Sequence, residues 1–417
     1  MRSRLPFLAA GLLGLSISTG IPAGIVAAIT MPALIFRQTS RRAASVTALL
    51  YYACAIWPVI PGARNFFGAD VSLFAAFLLW SIAMVSLSFP WAVLWSPNRT
   101  QMLWRIPIAL IIASVPPLGV IGWASPLTAA GLLFPATAWI GLLACAGCAT
   151  ALGVFPRVCA TSALLLAALA NAIHPRDLAP PLGWKAVNTE FGGVAHSTMT
   201  PGTEYQIAEA IQHEALCGDA AVIVFPETVV PYWTDATDQF WRSGLDALRA
   251  KRKTILVGAL VPRSERSHAQ PVDFSAGIAA LKSGDIPLSL PPQQEIPDSR
   301  GSFFNAVEVR GTERNEFRQR IPVPIAMWNP ISKHGAPINI LGPGILTVRG
   351  ERAAVLICYE QLLVWPVLSS MAQAPTIMVA IANDYWATGT TIPRFQRCAV
   401  RAWSRLFGIP YVSAVNF

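Results

Sequence analysis

From Met1 to Asp177 the chain contains no lysine and only two acids, Asp70 and Asp177. A stretch so poor in charge is not the solvated surface of an ordinary soluble domain, where charged residues are abundant. Nucleotide-binding and serine-hydrolase signals are absent too: there is no G-x-x-x-x-G-K and no G-x-S-x-G. The five histidines are scattered, which predicts no metal site and no cofactor. The seven cysteines form no framework. Four of them, Cys54, Cys145, Cys148 and Cys159, fall in apolar stretches, where the "CAGC" of 145–148 reads as small residues at a helix interface. Of the other three, Cys217 and Cys398 could pair in an oxidising compartment and leave Cys358 free.

What is present divides the chain. Residues 1–177 are apolar and hold ten arginines, whereas 178–417 carry 21 bases against 20 acids, so the net charge of +9 belongs mainly to the first part. A near-neutral second part argues against direct nucleic-acid binding. About 20 apolar residues cross a bilayer. That rule predicts about seven transmembrane helices, near 6–20, 22–36, 46–63, 71–95, 105–122, 128–153 and 158–174. Arginines fall in alternate loops (Arg2 and Arg4; Arg37, Arg41 and Arg42; Arg99 and Arg105; Arg157), with Arg64 near Asp70 between them. The positive-inside rule then puts the N-terminus in the cytoplasm. An odd number of spans delivers the second part to the opposite face, the periplasm of a bacterial host. A cleavable signal peptide is the weaker reading of the N-terminus, because the apolar pattern continues. Almost no ionisable residue interrupts the spans, which argues against a transporter.

After "HPRDLAPPLG" the periodicity changes to short apolar runs alternating with amphipathic stretches, the mark of an α/β layered domain. Three runs end in polar residues: "AAVIVFPE" at Glu227, "AAVLICYE" at Cys358 and Glu360, "TIMVAIAND" at Asn383 and Asp384. Chemistry collects at strand ends in α/β sheets. Each residue alone has a plain explanation: Cys358 as a small buried hydrophobe, Glu227 as a cap partner, Glu360 as a solvated strand end, Asp384 as a turn former. Together they suggest a thiol with a carboxylate base.

These segments resemble the nitrilase (carbon–nitrogen hydrolase) superfamily, and within it the apolipoprotein N-acyltransferases. "VIVFPETVVPYW" resembles the glutamate motif, "LICYE" the nucleophile segment, "SFFNAVEV" the aromatic-Asn strand, and "IANDYWATGTTIPRFQRCAVRAWSRLFGIPYVSAVN" the following strand, helix and strand. The resemblance implies a multi-span transmembrane helical bundle (1–177) followed by an αββα sandwich (178–417). It also implies a Glu-Lys-Cys site with Glu227 as general base, Cys358 as nucleophile and Glu360 in support. The lysine position departs from the family: "FRQRIPVPIAMW" offers Gln319, or Arg318 or Arg320 if slipped by one, while Lys333 lies downstream. An amide has no charge with which to stabilise an oxyanion, and guanidinium does not exchange protons as an amine does.

Trp233, Asn383, Tyr385 and Trp386, with Tyr232, are the candidate substrate-binding residues beside the motif strands. Against the acyltransferases the sequence stops short at Phe417, which predicts a domain left open or completed by a partner. Length and departures look most like plasmid-encoded conjugal transfer relatives of that group. Two functions follow from the resemblance. One is an acyl or amide chemistry on a membrane-lipid or lipid-linked substrate at the outer face of the inner membrane. The other is a non-catalytic accessory that docks other conjugation or mating-pair proteins.

Overall fold

The computed structural model describes residues 4–67, 72–174, 177–192, 201–263, 302–329 and 335–417. Asp70 and Lys333 lie outside them.

The apolar part folds into helices α1 (Leu5–Ser18), α2 (Pro22–Ala27), α3 (Met31–Phe36), α4 (Arg41–Ala55), α5 (Val59–Phe67), α6 (Leu73–Leu94), α7 (Arg99–Ser114), α8 (Ala130–Leu133), α9 (Ala138–Val154) and α10 (Pro156–Ile173). Side-chain oxygens of Ser40, Ser72 and Asn98 cap the amides that open α4, α6 and α7. The expected seven-span bundle is not what these residues build. Among the described residues only α6 is both long and apolar enough to cross a bilayer, and the bent pair α4–α5 would add a second span if counted as one. Local chemistry explains the difference. Gly20, at φ +67, ends α1 after 14 residues, about 21 Å of helix where the hydrocarbon core needs about 30 Å. The segment 22–36 splits at a 3₁₀ turn, 46–63 bends by 44° around Trp57–Pro58, and 105–122 leaves the helix before Pro116. Hydropathy counts apolar residues; it does not register the prolines and glycines that divide them.

Nor does a bundle precede a separate domain. Ala10, Ile17, Tyr52, Trp91 and Ile106 of the helical part share one apolar core with Leu356, Ala380, Phe395, Trp403 and Leu406 of the second part. The contact is close: a Cβ at Gly131 would lie 1.6 Å from the Ala402 carbonyl oxygen.

The second part contains two sheets. The first joins β1 (Trp184–Ala186), β2 (Val222–Val224), β3 (Thr254–Pro262), β4 (Phe303–Gly311) and β5 (Asn315–Arg318) in that order, with β1, β2 and β3 parallel and β4 and β5 antiparallel. The second joins β6 (Ile345–Val348), β7 (Glu351–Ile357), β8 (Ile377–Asn383) and β9 (Tyr411–Asn416), antiparallel only at β6. Alternation along each strand decides which face meets what. Val222, Val224, Leu256, Val307 and Val309 pack onto Val355, Ile357, Val379 and Ile381 between the sheets. Ile223, Ile255 and Val257 face outward onto α11 (Pro201–Cys217) and α13 (Arg242–Ala250), beside the short α12 (Asp235–Phe240). Leu356, Met378 and Ala380 face α14 (Val364–Met371), α15 (Ile392–Phe407) and the apolar helices. The parallel strands β2, β7 and β8 end at one seam between the sheets.

Candidate active site

Glu227 follows β2 on the first sheet and Cys358 follows β7 on the second. The two sheets therefore have to meet to bring them together. Gly258 on β3 permits the approach of the first: a Cβ there would lie 2.4 Å from the Glu227 Cα. Cys358 sits at φ +48, a left-handed conformation costing a non-glycine residue roughly 1–3 kcal/mol, at the start of the 3₁₀ turn Cys358–Leu362. That turn lifts the thiol off the strand line, and the Gln396 amide holds its carbonyl at 3.0 Å.

The Glu227 carboxylate is buried and fully engaged. Oε1 accepts from Asn305 Nδ2 at 2.6 Å, Oε2 from the Asn383 backbone N–H at 2.9 Å, and the Cys358 thiol lies beside the same carboxylate. Burial raises the Glu227 pKa, opposed by these hydrogen bonds. Burial also raises the Cys358 thiol, and the Glu227 charge adds to that. Both shifts favour the protonated forms, so the thiol is held neutral beside the Glu227 carboxyl group.

On the other side Gln319 donates from Nε2 to the Ile357 carbonyl at 2.9 Å and accepts from Asn305 Nδ2 at 3.0 Å. Arg318 points away, paired with Glu316 and stacked 3.8 Å over the Phe304 ring. Arg320 is buried, but its guanidinium is spent on Glu360 at 3.2 Å, Ser369, Ser370 and the Val355 carbonyl. Glu360, fully buried, also accepts from the backbone N–H groups of Ile357, Arg320 and Ile321. It staples the Gln319 segment to the Cys358 turn.

The candidate substrate residues separate. Asn383 belongs to the site through its N–H, and its side chain joins Asn416. Tyr385 is half exposed, and Trp386 lines an apolar cavity of about 190 Å³ with Phe66, Tyr359 and Leu362. Trp233 lies in the helical layer, its ring against Trp241 and under Arg310, its Nε1 bonded to Asp238. Tyr232 opens on that same layer. Cys217 and Cys398 are both free, the first exposed and the second buried on α15.

Asp384 belongs to the strand-end set read from the sequence, whereas Asn305 and Gln396 are not among the site residues expected from it. The Asn of "SFFNAVEV" and a Gln on the apolar face of an amphipathic helix were the available signals, since buried polar groups need a reason. Asp384 is buried, its Oδ1 without a partner, and burial pushes its pKa up to about 7 against Arg397 3.8 Å away.

Relatives exist over nearly the whole chain, although no family model matches it. It is 30% identical over 409 residues to "Conjugal transfer protein TraB" of Agrobacterium fabrum, covering 93% of this chain and 87% of that one. It is 29% identical over 396 residues to "Probable conjugal transfer protein TraB" of Sinorhizobium fredii, covering 93% and 92%. Among solved structures, an amidase from Nesterenkonia sp. AN1 gives a TM-score of 0.29 at 11% identity, over 55% of this chain and 77% of that one. A glutamine-dependent NAD+ synthetase from Acinetobacter baumannii gives 0.25 at 13%, over 47% and 31%.

Proposed function

The chain belongs to the TraB family of conjugal transfer proteins, and from that premise we propose that it serves plasmid conjugation as a membrane-associated protein whose residues 178–417 form a carbon–nitrogen-hydrolase-like unit. The observation that carries the chemical part is the Cys358 thiol resting on a Glu227 carboxylate fixed by Asn305 and the Asn383 N–H. In the reaction this supports, Glu227 takes the thiol proton as Sγ attacks an acyl or amide carbonyl. The tetrahedral adduct collapses to a thioester, and the departing amine or alcohol takes the proton from Glu227. Water or an acceptor amine, deprotonated in turn by Glu227, then releases the acyl group. Gln319 supplies an uncharged amide where a cation would serve the oxyanion better, so turnover is slow, by on the order of a hundredfold or more.

Helix α6 supplies the membrane contact, with Leu73, Phe74, Leu78, Ile82, Val85 and Phe89 exposed along it. Helices on both sides of α6 pack on residues 178–417, so α6 touches the bilayer without dividing the chain across it.

One observation favours the docking reading instead: Arg320, the buried cation beside the Cys358 turn, is committed to Glu360. An activated acyl ester separates the two. The enzyme reading predicts a hydroxylamine-labile adduct on Cys358, absent from Cys358→Ala, and lowered plasmid transfer in that variant. No adduct together with wild-type transfer by Cys358→Ala would leave docking.

A further inference from the structure

Helix α15 carries cations where a helix disfavours them. Its first turn contains no acid, and Arg394 and Arg397 stand near the N-terminal end, where the aligned backbone dipoles are already positive. Arg401 follows at the next turn on the same edge, so the three guanidiniums also repel one another. Their counter-ions are incomplete. Arg401 meets Asp177 at 2.7 Å, an acid shared with Arg405, and the buried Asp384 lies 3.8 Å from Arg397. Arg394 forms no ion pair among the described residues. The arrangement lacks a negative charge.

The place for one is built by the turn between α1 and α2. Gly20, at φ +67, lies so close to α15 that a Cβ would stand 2.4 Å from the Phe395 amide nitrogen. This contact seats Gly20, Ile21 and Pro22 against the arginine edge and borders an open surface depression of about 370 Å³ whose walls include Arg394, Arg397 and Arg401. Guanidinium groups bind phosphate through paired, charge-assisted hydrogen bonds. The other side of the pocket is apolar: Leu5, Leu8, Leu12 and Leu15 form one exposed stripe along α1, and Ile21, also exposed, continues it to the pocket rim.

We propose that the pocket between the Gly20–Pro22 turn and Arg394, Arg397 and Arg401 binds the phosphate of an anionic lipid headgroup, with the lipid chains lying along the α1 stripe. This assignment does not depend on the chemistry of Cys358. Phosphate alone would satisfy the arginines but leave the stripe uncovered, which is why the geometry favours the amphiphile over the free ion.

The test uses the full chain in detergent and titrates dioctanoyl phosphatidylglycerol, inorganic phosphate and uncharged dioctanoylglycerol, read by native mass spectrometry. The phosphatidylglycerol is expected to bind at least tenfold more tightly than either of the others. Arg394→Gln, at an exposed side chain with no ion pair to lose, should weaken it about tenfold, Arg394→Glu further, and Arg394→Lys less than Arg394→Gln, since it keeps the charge but not the paired bonds. Equal binding by Arg394→Glu and the wild type would overturn the site. Inorganic phosphate binding as tightly as the lipid would overturn the headgroup assignment, and dioctanoylglycerol doing so would overturn the role of the arginines.

Discussion

The two sides of the thiol differ in what is done with buried charge. On the base side, the Glu227 carboxylate is held by neutral donors, Asn305 and the Asn383 N–H, with no ion pair among the described residues to cancel its charge. On the opposite side the charge is cancelled: Arg320 and Glu360 neutralise each other, and the group left facing the site is the Gln319 amide. A carboxylate held by neutral groups remains a base. A cation held by a carboxylate is a structural element.

The sharpest way to break the comparison is to remove Arg320. If its work is structural, Arg320→Ala leaves Glu360 buried and unpaired and costs about 3–5 kcal/mol of stability, seen in denaturant unfolding. Arg320→Ala and Glu360→Gln together should recover part of that. Loss of thiol reactivity in a variant that still folds as stably as the wild type would return Arg320 to the chemistry.

Asp384 tests the burial argument on the base side. Its folded pKa is raised from 3.8 to about 7, so the folded state holds a proton that the unfolded chain gives up. Its contribution to stability is therefore fully present below about 3.8 and lost as pH rises through about 7. Asp384→Asn should flatten this decline and gain on the order of 2 kcal/mol over the wild type above pH 7, partly offset by the lost Arg397 partner. Parallel stability curves for the two proteins would contradict it.

The smallest effect sharpens the amide side. Gln319→Lys places an ammonium beside the Glu227 carboxylate and the thiol, which should speed alkylation of Cys358 about tenfold by favouring the thiolate. No change would mean that the position does not face the reacting sulfur.

Much of the base side was legible in the sequence. Glu227, Cys358 and Asn383 each follow a short Val/Ile-rich run, and parallel strands that end together bring such residues to one seam. Asn305 and Gln396 were hidden because they sit within a strand and a helix, where a polar residue reads as an interruption. Trp233 was placed beside Glu227 on sequence proximity, but after Thr228, at φ +53, the chain turns to the outer face of the sheet. The helical part was legible as apolar and misread in its lengths, because Gly20, Pro22, Pro58 and Pro135 cut the runs into helices that pack on the second sheet.

Glu227 as the base for Cys358 is the central claim. The direct measurement is the rate of Cys358 alkylation by iodoacetamide against pH, in the wild type and in Glu227→Gln. With the Glu227 pKa raised from its ordinary value by burial, the wild-type rate should climb as that carboxylate ionises and then level off well below the pH at which the buried thiol itself ionises. Glu227→Gln should remain slow across that range and rise only as the thiol titrates in alkali. Superimposable profiles for the two proteins would contradict the account.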